Sequence, residues 1–327
     1  MKSGSRLERT FAEGKFAVTA EIFPPRTPSV RLLHKRAEQV RDYLTAANLT
    51  DNQSATVRIA SMAASRIVLD AGVEPVMQIT CRDRNRMAIQ ADVIGAAALG
   101  IKNILCVTGD HQKFGDHPAA RNVYDLDSMN LIQMLKTMRD DGRFHNGDAI
   151  RNRSASPVVP PEIFIGAAAN PFGSPRHFRP YRLAKKIAAG ADFVQTQPVY
   201  DLVVFREWLQ KAGDLGLIEK VHIMAGITPV KSVDALCYMR DHVPGMHIPE
   251  ATIRRMTGAA DPEREGFEMA LEMICAVKDL CGVRGIHLMA IGWEKVVPLL
   301  IEAANIVPEP VAVHRGDRPD AEIAGKD

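Results

Sequence analysis

A predicted strand followed by a predicted helix recurs eight times along the 327-residue sequence, and this repeat limits the fold more than any other feature. Short apolar runs such as Ile104–Val107 are typical of strands that are buried on both faces. The predicted strands are Phe16–Glu21, Ala47–Thr50, Pro75–Thr80, Ile104–Val107, Ile163–Ala168, Asp192–Thr196, Val221–Ala225 and Gly285–Leu288. Because no change in composition divides the repeats, the sequence predicts an α/β fold with one (β/α)8 barrel of the TIM type.

The predicted helices fill the intervals between these strands. They are Val30–Leu44, a helix ending near Leu69, Met87–Leu99, Asp127–Arg139, Tyr181–Ala189, Val203–Ala212, Ser232–Asp241 and Glu294–Ala304, with extra helices near the C-terminus at Pro249–Met256 and Pro262–Leu280. We assign residues 1–307 to the barrel and residues 308–327, dominated by Pro, Arg, Asp and Gly, to a disordered tail. Residues 142–161 are expected to form a surface connection away from the chemistry.

An open, doubly wound sheet is the alternative arrangement of the same elements. Dinucleotide-binding sheets of that type carry Gly-x-Gly-x-x-Gly after a strand, and phosphate-binding loops carry Gly-x-x-x-x-Gly-Lys-Ser/Thr. The sequence contains neither pattern, which favours the barrel.

Charge and cysteine content exclude several classes of function. The net charge is +2 with acids and bases interspersed, so no basic surface for nucleic acid is expected. The N-terminus lacks the apolar core of a signal peptide, and the longest apolar runs, such as Val93–Leu99, are too short to span a membrane. The five cysteines are scattered without a Cys-x-x-Cys pair, which predicts a reduced, cytoplasmic protein without a metal site.

Polar side chains stand at the C-terminal ends of the predicted strands, where barrel enzymes place their catalytic residues. They are Glu21, Thr50, Gln78, Thr80, Thr108, Asp110, Asn170, Gln195, Gln197 and His287. This set offers carboxylates and amides, but no Ser–His–Asp grouping and no lysine for a Schiff base. Such a site suits proton transfer and hydrogen bonding, so harder chemistry would require a bound organic cofactor.

Six motifs in order along residues 15–305 resemble the methylenetetrahydrofolate reductase family. They are Glu21–Thr27, Thr80–Asp83, Thr108–Asp110, Ala189–Gln197, Gly226–Val230 and Gly282–His287. The variants Asp51–Gln53 and Asp110–His117 resemble a branch common in anaerobic and one-carbon-metabolising bacteria. The resemblance is to the catalytic-domain-only form, so control through the regulatory domain of the animal enzymes is not expected. It implies a flavoprotein of one-carbon metabolism and methionine biosynthesis that uses FAD, bound non-covalently, to reduce 5,10-methylenetetrahydrofolate to 5-methyltetrahydrofolate, or the reverse.

The resemblance also implies roles for individual residues. Glu21 matches the family's general acid, which protonates the substrate's imidazolidine ring so that it opens to an iminium. Asp110 matches the aspartate that contacts the pterin near the flavin, and Gln197 matches the glutamine that hydrogen-bonds the pterin. Gln195 alternates with Gln197 on the same strand and is expected to share its face. The catalytic prediction is therefore Glu21, Asp110 and Gln197, with Gln195 as a further substrate contact.

The cofactor contacts implied by the resemblance are Thr50, Gln78, Thr108, Asp110, Tyr124, Ala168, Asn170 and Lys186. Lys186 lies on the helix before Ala189, where an ammonium could meet the pyrophosphate. Two positions depart from well-known members: Gln78 stands where they have histidine, and Thr108 where they have arginine.

The electron donor is left open by a third departure. NADH-using members place an aromatic residue shortly after the Gly226–Val230 motif, where it stacks on the nicotinamide. Here the stretch Lys231–Asp234 has no aromatic side chain, and Val233 cannot make that contact. The donor is therefore NAD(P)H, reduced ferredoxin or a partner flavoprotein. The resemblance further implies a homo-oligomer, with a partner subunit as an option.

Two other classes of function compete with the reductase. A cofactor-free barrel lyase or aldolase is disfavoured by the absence of a strand-end lysine and of metal ligands. A folate-binding subunit of a methyl-transfer complex, without redox chemistry of its own, is the alternative that flavin content would distinguish.

Overall fold

The computed structural model describes residues 1–243 and 245–306. Eight parallel strands close into a barrel in sequence order. They are β1 Ala17–Ile22, β2 Ala46–Leu49, β3 Pro75–Thr80, β4 Asn103–Val107, β5 Phe164–Ala169, β6 Phe193–Pro198, β7 His222–Ile227 and β8 Val283–Leu288. The first strand pairs with the last, Ala17 opposite Gly285, which an open sheet does not allow. The predicted barrel is confirmed, and every predicted strand agrees with the observed one within two residues.

Eleven α-helices accompany these strands in the described part of the chain. They are α1 Arg6–Ala12, α2 Val30–Val40, α3 Ser61–Asp70, α4 Arg86–Ala98, α5 Ser128–Lys136, α6 Arg179–Ala189, α7 Leu202–Asp214, α8 Val233–His242, α9 Glu250–Thr257, α10 Pro262–Lys278 and α11 Val296–Ala303. The helix predicted to reach Leu44 ends at Val40, because Tyr43 donates to the Val40 carbonyl in a turn that leads into β2. None of these helices is long and apolar enough to cross a membrane.

Side chains alternate between the two faces of each strand and so divide two cores. On β1, Val18, Ala20 and Ile22 face outward into the main core beneath the helices. Ala17 belongs to the separate cluster inside the barrel. That inner cluster contains Phe164, Phe193, Leu105 and Met224, with the two phenyl rings stacked at 5.3 Å. Gly166 makes room for it, since a Cβ there would lie 2.3 Å from the Phe193 ring.

Helix α1 closes the N-terminal end of the barrel, and the sequence prediction did not include it. Its Leu7 and Phe11 complete the inner cluster, and the Phe11 ring stacks on the imidazole of His222 at 4.3 Å. The Glu74 carboxylate accepts from the backbone amides of Arg6 and Leu7 at 2.6 and 3.0 Å. Seven residues with two buried apolar side chains give no helical periodicity to recognise.

Two further predictions concern segments outside the strands and helices of the barrel. Residues 142–161 connect the α5 region to the start of β5, and none of them lines the cavity at the opposite end of the barrel described below. The predicted tail, residues 308–327, lies outside the described residues.

Candidate active site

A cavity of about 400 Å³ opens at the C-terminal end of the barrel. The predicted site residues that line it are Glu21, Thr50, Gln78, Thr108, Asp110, Ala168, Gln195 and Gln197. Parallel strands end together at this edge, which is why residues spread over the sequence meet here. We call it the mouth cavity.

Glu21 lies on the cavity wall with 11% of its side chain exposed. Its Oε1 accepts a long hydrogen bond from the Gln78 amide at 3.4 Å and lies 3.7 Å from Nε2 of His287. Gln78 and His287 thus both lie near one carboxylate oxygen, and the Gln78 contact is within hydrogen-bond distance. A carboxylate so held, next to a cavity of ligand size, is suited to exchange a proton with a bound molecule.

Gln195 lies deeper than the prediction required. It is 3% exposed, and its amide exchanges two hydrogen bonds with Asn48, at 2.7 and 3.1 Å. A third bond runs from Gln195 Nε2 to the Thr19 hydroxyl at 3.1 Å. Gln195 therefore forms the cavity floor, whereas Gln197, two residues on, is partly exposed at the cavity wall.

Asp110 stands at the exposed rim of the mouth cavity, and its main chain is held from two sides. Arg82 donates to the Asp110 carbonyl at 3.2 Å, and the Tyr124 hydroxyl donates to the Gly109 carbonyl at 3.2 Å. Burial raises the pKa of Tyr124, which keeps the phenol protonated as a donor.

The sequence prediction did not include Arg82, although it lies within the Thr80–Asp83 motif. Only 3% of it is exposed, and it also donates to the Asn52 carbonyl at 3.2 Å and to the Asp83 carboxylate through two nitrogens at 2.7 Å. It therefore joins the loop after β2 to the loop after β4.

Those two loops pack directly against each other on one side of the mouth cavity. A Cβ at Gly115 would lie 1.8 Å from the Ala55 carbonyl oxygen, so only glycine fits this contact. Asn52, Ser54 and Ala55 adopt left-handed backbone conformations. The Arg26–Asp116 ion pair at 2.6 Å ties the second loop to the segment after β1.

A smaller basic cavity of about 170 Å³ adjoins the mouth cavity, sharing Ala168 and Gln197 with it. Its cations are Arg179, Arg182 and Lys186, and within the described residues no carboxylate forms an ion pair with any of them. Burial, and secondarily the neighbouring Arg182, lowers the pKa of Lys186 to about 8. Uncompensated cations around a cavity favour an anionic ligand.

Two predicted residues at this basic cavity already form hydrogen bonds with the protein's own main chain. The side-chain oxygen of Asn170 accepts from the backbone amides of Phe172 and Gly173, at 2.9 and 3.1 Å. The Lys186 ammonium donates to the Ala168 carbonyl. Asn170 thus fixes the turn after β5, and Lys186 is held near the end of that strand.

A separate cavity of about 380 Å³ lies between the C-terminal end of β7, α9 and α10. Its cation, Arg255, is paired with Glu265 and Glu272, and its phenol, Tyr200, donates to the Thr228 carbonyl. Both groups already have partners within the protein, so the mouth cavity is the stronger candidate site. No group of His, Cys, Asp and Glu that could hold a metal occurs in residues 1–243 and 245–306.

The family model and the curated relatives that match this chain carry the same family name. The family model described as methylenetetrahydrofolate reductase matches residues 6–305. Methylenetetrahydrofolate reductase 1 of Schizosaccharomyces pombe is 25% identical over 334 residues, covering 95% of this chain and 50% of its own length. Methylenetetrahydrofolate reductase 2 of Saccharomyces cerevisiae is 25% identical over 318 residues, covering 94% and 50%. This chain therefore spans about half the length of the curated relatives it matches.

A solved structure shares the fold. It is a Clostridium thermocellum protein described as binding two copies of 5-methyl-5,6,7,8-tetrahydrofolic acid. The TM-score is 0.62 at 13% identity, and the match covers 92% of this chain and 100% of that one.

Proposed function

The chain belongs to the methylenetetrahydrofolate reductase family, and from that premise we propose that it interconverts 5,10-methylenetetrahydrofolate and 5-methyltetrahydrofolate with FAD as its redox cofactor. The observation that carries the proposal is the mouth cavity, a space of ligand size that Glu21, Asp110 and Gln197 line together. The names of the curated relatives and the folate bound by the Clostridium thermocellum protein support it.

Two features of the cavities fit a flavin dinucleotide. The Thr50 hydroxyl is buried at the mouth cavity with no hydrogen-bond partner in residues 1–243 and 245–306, and Thr50 is a predicted flavin contact. The basic cavity beside it offers Lys186 and Arg182 to a pyrophosphate. Thr50, Gln78, Thr108, Asp110, Tyr124, Ala168, Asn170 and Lys186 would hold the cofactor, which supplies the hydride when bound.

Glu21 is the proposed general acid. Its carboxyl would deliver a proton to a ring nitrogen of the folate, so that the imidazolidine ring opens. Gln78 and His287 both approach Oε1, and no protein partner of Oε2 occurs in the described part of the chain. Oε2 is therefore the oxygen we assign to the substrate.

Asp110 and Gln197 would orient the pterin. A carboxylate accepts hydrogen bonds from the N–H groups of a pterin, and a glutamine amide both donates and accepts. Gln195 would support the bound ring from the floor, because its amide nitrogen already donates to Asn48 and Thr19.

The proposed electron donor is NAD(P)H or, alternatively, a ferredoxin or partner flavoprotein. Val233 begins α8 and packs against the apolar cluster that contains Val230, Leu236 and Met239. A valine offers no ring to stack on a nicotinamide. A homo-oligomer, with a partner subunit as an option, is proposed from the resemblance, and a cytoplasmic location is proposed from the scattered cysteines.

A folate-binding subunit without its own redox chemistry is the second candidate, favoured by the shared fold of the Clostridium thermocellum protein. One experiment separates the two functions. The purified protein is reconstituted with FAD, and 5-methyltetrahydrofolate is added without oxygen while the visible spectrum is recorded. A bound flavin that bleaches supports the reductase, an unchanged flavin excludes this substrate, and failure to bind FAD favours the folate-binding subunit.

A further inference from the structure

Four polar side chains form a continuous hydrogen-bonded row across the barrel interior, directly beneath Glu21. The Asn48 and Gln195 amides bond to each other, Gln195 Nε2 donates to the Thr19 hydroxyl, and that hydroxyl lies 2.9 Å from Nδ1 of His287. All four residues are at most 3% exposed. We call this row the buried relay.

The donors and acceptors of the buried relay determine which ring nitrogen of His287 carries its proton. Gln195 Nε2 has two hydrogens, and its acceptors are Asn48 Oδ1 and Thr19 Oγ1, each at 3.1 Å. Thr19 Oγ1 therefore accepts from Gln195 and has one hydrogen left to donate.

That hydrogen has two acceptors within reach, Nδ1 of His287 at 2.9 Å and the Ile286 carbonyl at 3.5 Å. The shorter bond has ordinary geometry for a hydroxyl donor, whereas the longer one is at the limit. Donation to Nδ1 requires that nitrogen to be unprotonated. The neutral imidazole then carries its proton on Nε2, the nitrogen that faces Glu21 at 3.7 Å.

From this geometry we infer that His287 is a positioning residue for Glu21, held as the Nε2–H tautomer by the buried relay. At 3.7 Å the ring and the carboxylate are neighbours, and catalytic contacts that are long in an unliganded site commonly tighten in the substrate complex. The Nε2–H group then fixes Oε1 and leaves Oε2 for the folate. This role rests on the proposed function, whereas the tautomer does not.

Nitrogen NMR of the protein labelled with 15N-histidine tests the tautomer without any ligand. Protonated and unprotonated ring nitrogens have well-separated shifts, and a His287→Gln sample identifies the signals of His287. The inference predicts a proton on Nε2 in the unliganded protein. A proton on Nδ1, which both relay amides would impose if their oxygens and nitrogens were exchanged, overturns it.

Thr19 variants test the relay because Thr19 itself does not line the mouth cavity. Thr19→Val keeps the shape but removes the hydroxyl, so the Nε2–H preference should disappear. Flavin reduction by saturating 5-methyltetrahydrofolate should slow about tenfold, with the half-saturating folate concentration unchanged. Thr19→Ser restores the hydroxyl and should restore both readouts.

The matched control is Thr45→Val, because the Thr45 hydroxyl is also buried and accepts from the Val18 amide near the opposite end of β1. Equal slowing in both valine variants would reduce the relay to a structural role and overturn the inference. If the wild-type flavin does not bleach at all, the proposed function fails, while the tautomer measurement still decides the relay.

Discussion

At the N-terminal end of the barrel the interior holds Phe164, Phe193 and Met224, whereas at the C-terminal end it holds Glu21, Gln78 and His287. The first set packs against Leu7 and Phe11 of α1. None of its three side chains lines the mouth cavity or the cavity beside α9 and α10. The second set surrounds open space. The difference shows how one barrel separates its tasks: the N-terminal end buries apolar surface, and the C-terminal end keeps polar groups available.

The carboxylates Asp192, Asp110 and Glu21 differ in the same way. Near the N-terminal end, the Asp192 carboxylate is 4% exposed and fully engaged by Arg139, Lys2 and the Ile165 amide at 2.5–2.8 Å. At the mouth cavity, Asp110 is exposed and Oε2 of Glu21 has no partner among the described residues. Asp192 is therefore committed to partners within the protein, whereas Glu21 and Asp110 can take a ligand.

The largest expected effect belongs to Glu21→Gln. Removing the proposed acid should slow flavin reduction by 5-methyltetrahydrofolate by roughly 10² to 10⁴, the usual contribution of a general acid. FAD binding and the melting temperature should stay unchanged, as measured by flavin absorbance and calorimetry. Glu38→Gln on the exposed face of α2 makes the same charge change away from the cavity and should be silent. Loss of flavin in Glu21→Gln would mean that Glu21 has a different role.

Phe193→Ala tests the N-terminal end. Phe193 is fully buried, and the large cavity left behind should cost about 3–5 kcal/mol of unfolding free energy in urea titration. The flavin-reduction rate per folded molecule should be unaffected. Phe114→Ala provides the matched control, because Phe114 is 60% exposed on the loop after β4. A comparable loss in both variants would disprove the importance of the inner cluster.

Arg82→Met tests the rim that positions Asp110. The variant removes the nearly buried guanidinium that donates to the Asp110 and Asn52 carbonyls and to the Asp83 carboxylate. It should cost about 1–3 kcal/mol of stability and weaken folate binding several-fold, measured by titration of the flavin spectrum. Arg66→Met, which loses an exposed pair with Asp70, should change neither by much. Folate binding unchanged in Arg82→Met would remove Arg82 from the account of the site.

Lys186 gives an effect that depends on pH and is small at pH 7. Its pKa near 8 means that the ammonium loses its charge as the pH rises from 7 to 9, so FAD should bind more weakly by at most about tenfold per pH unit. Lys186→Met should flatten this dependence, and Lys185→Met, on an exposed neighbour, should not.

The folding stability of the cofactor-free protein should change with pH in the opposite direction to FAD binding. Because the folded pKa lies below the ordinary 10.5, Lys186 makes folding more favourable as the pH rises between those values.

Sequence reasoning predicted the barrel because eight short strand-like segments alternate with helices along the chain. It placed Glu21, Asp110 and Gln197 near one another because parallel strands end at one edge, a consequence of topology that needs no side-chain coordinates. Helix α1 escaped because it is short, although Ser5 and Glu8 have capping-box spacing and the Ser5 hydroxyl does accept from the Glu8 amide.

The supporting contacts of the site could not be read in the same way. Arg82 acts on main-chain carbonyls, which have no residue-specific pattern in sequence. Thr19 and His287 are separated by 268 positions and meet only because the barrel closes between β1 and β8. Such pairs depend on register, which a single sequence does not reveal.

The rate of flavin reduction per folded molecule, measured without oxygen on FAD-reconstituted Glu21→Gln and Phe193→Ala well below their melting temperatures, tests the division of the barrel most directly. Under this division, 5-methyltetrahydrofolate should bleach the Phe193→Ala flavin at the wild-type rate and the Glu21→Gln flavin at least about a hundredfold more slowly. A Glu21→Gln flavin that bleaches at the wild-type rate, or a Phe193→Ala flavin that is the slower of the two, would contradict it.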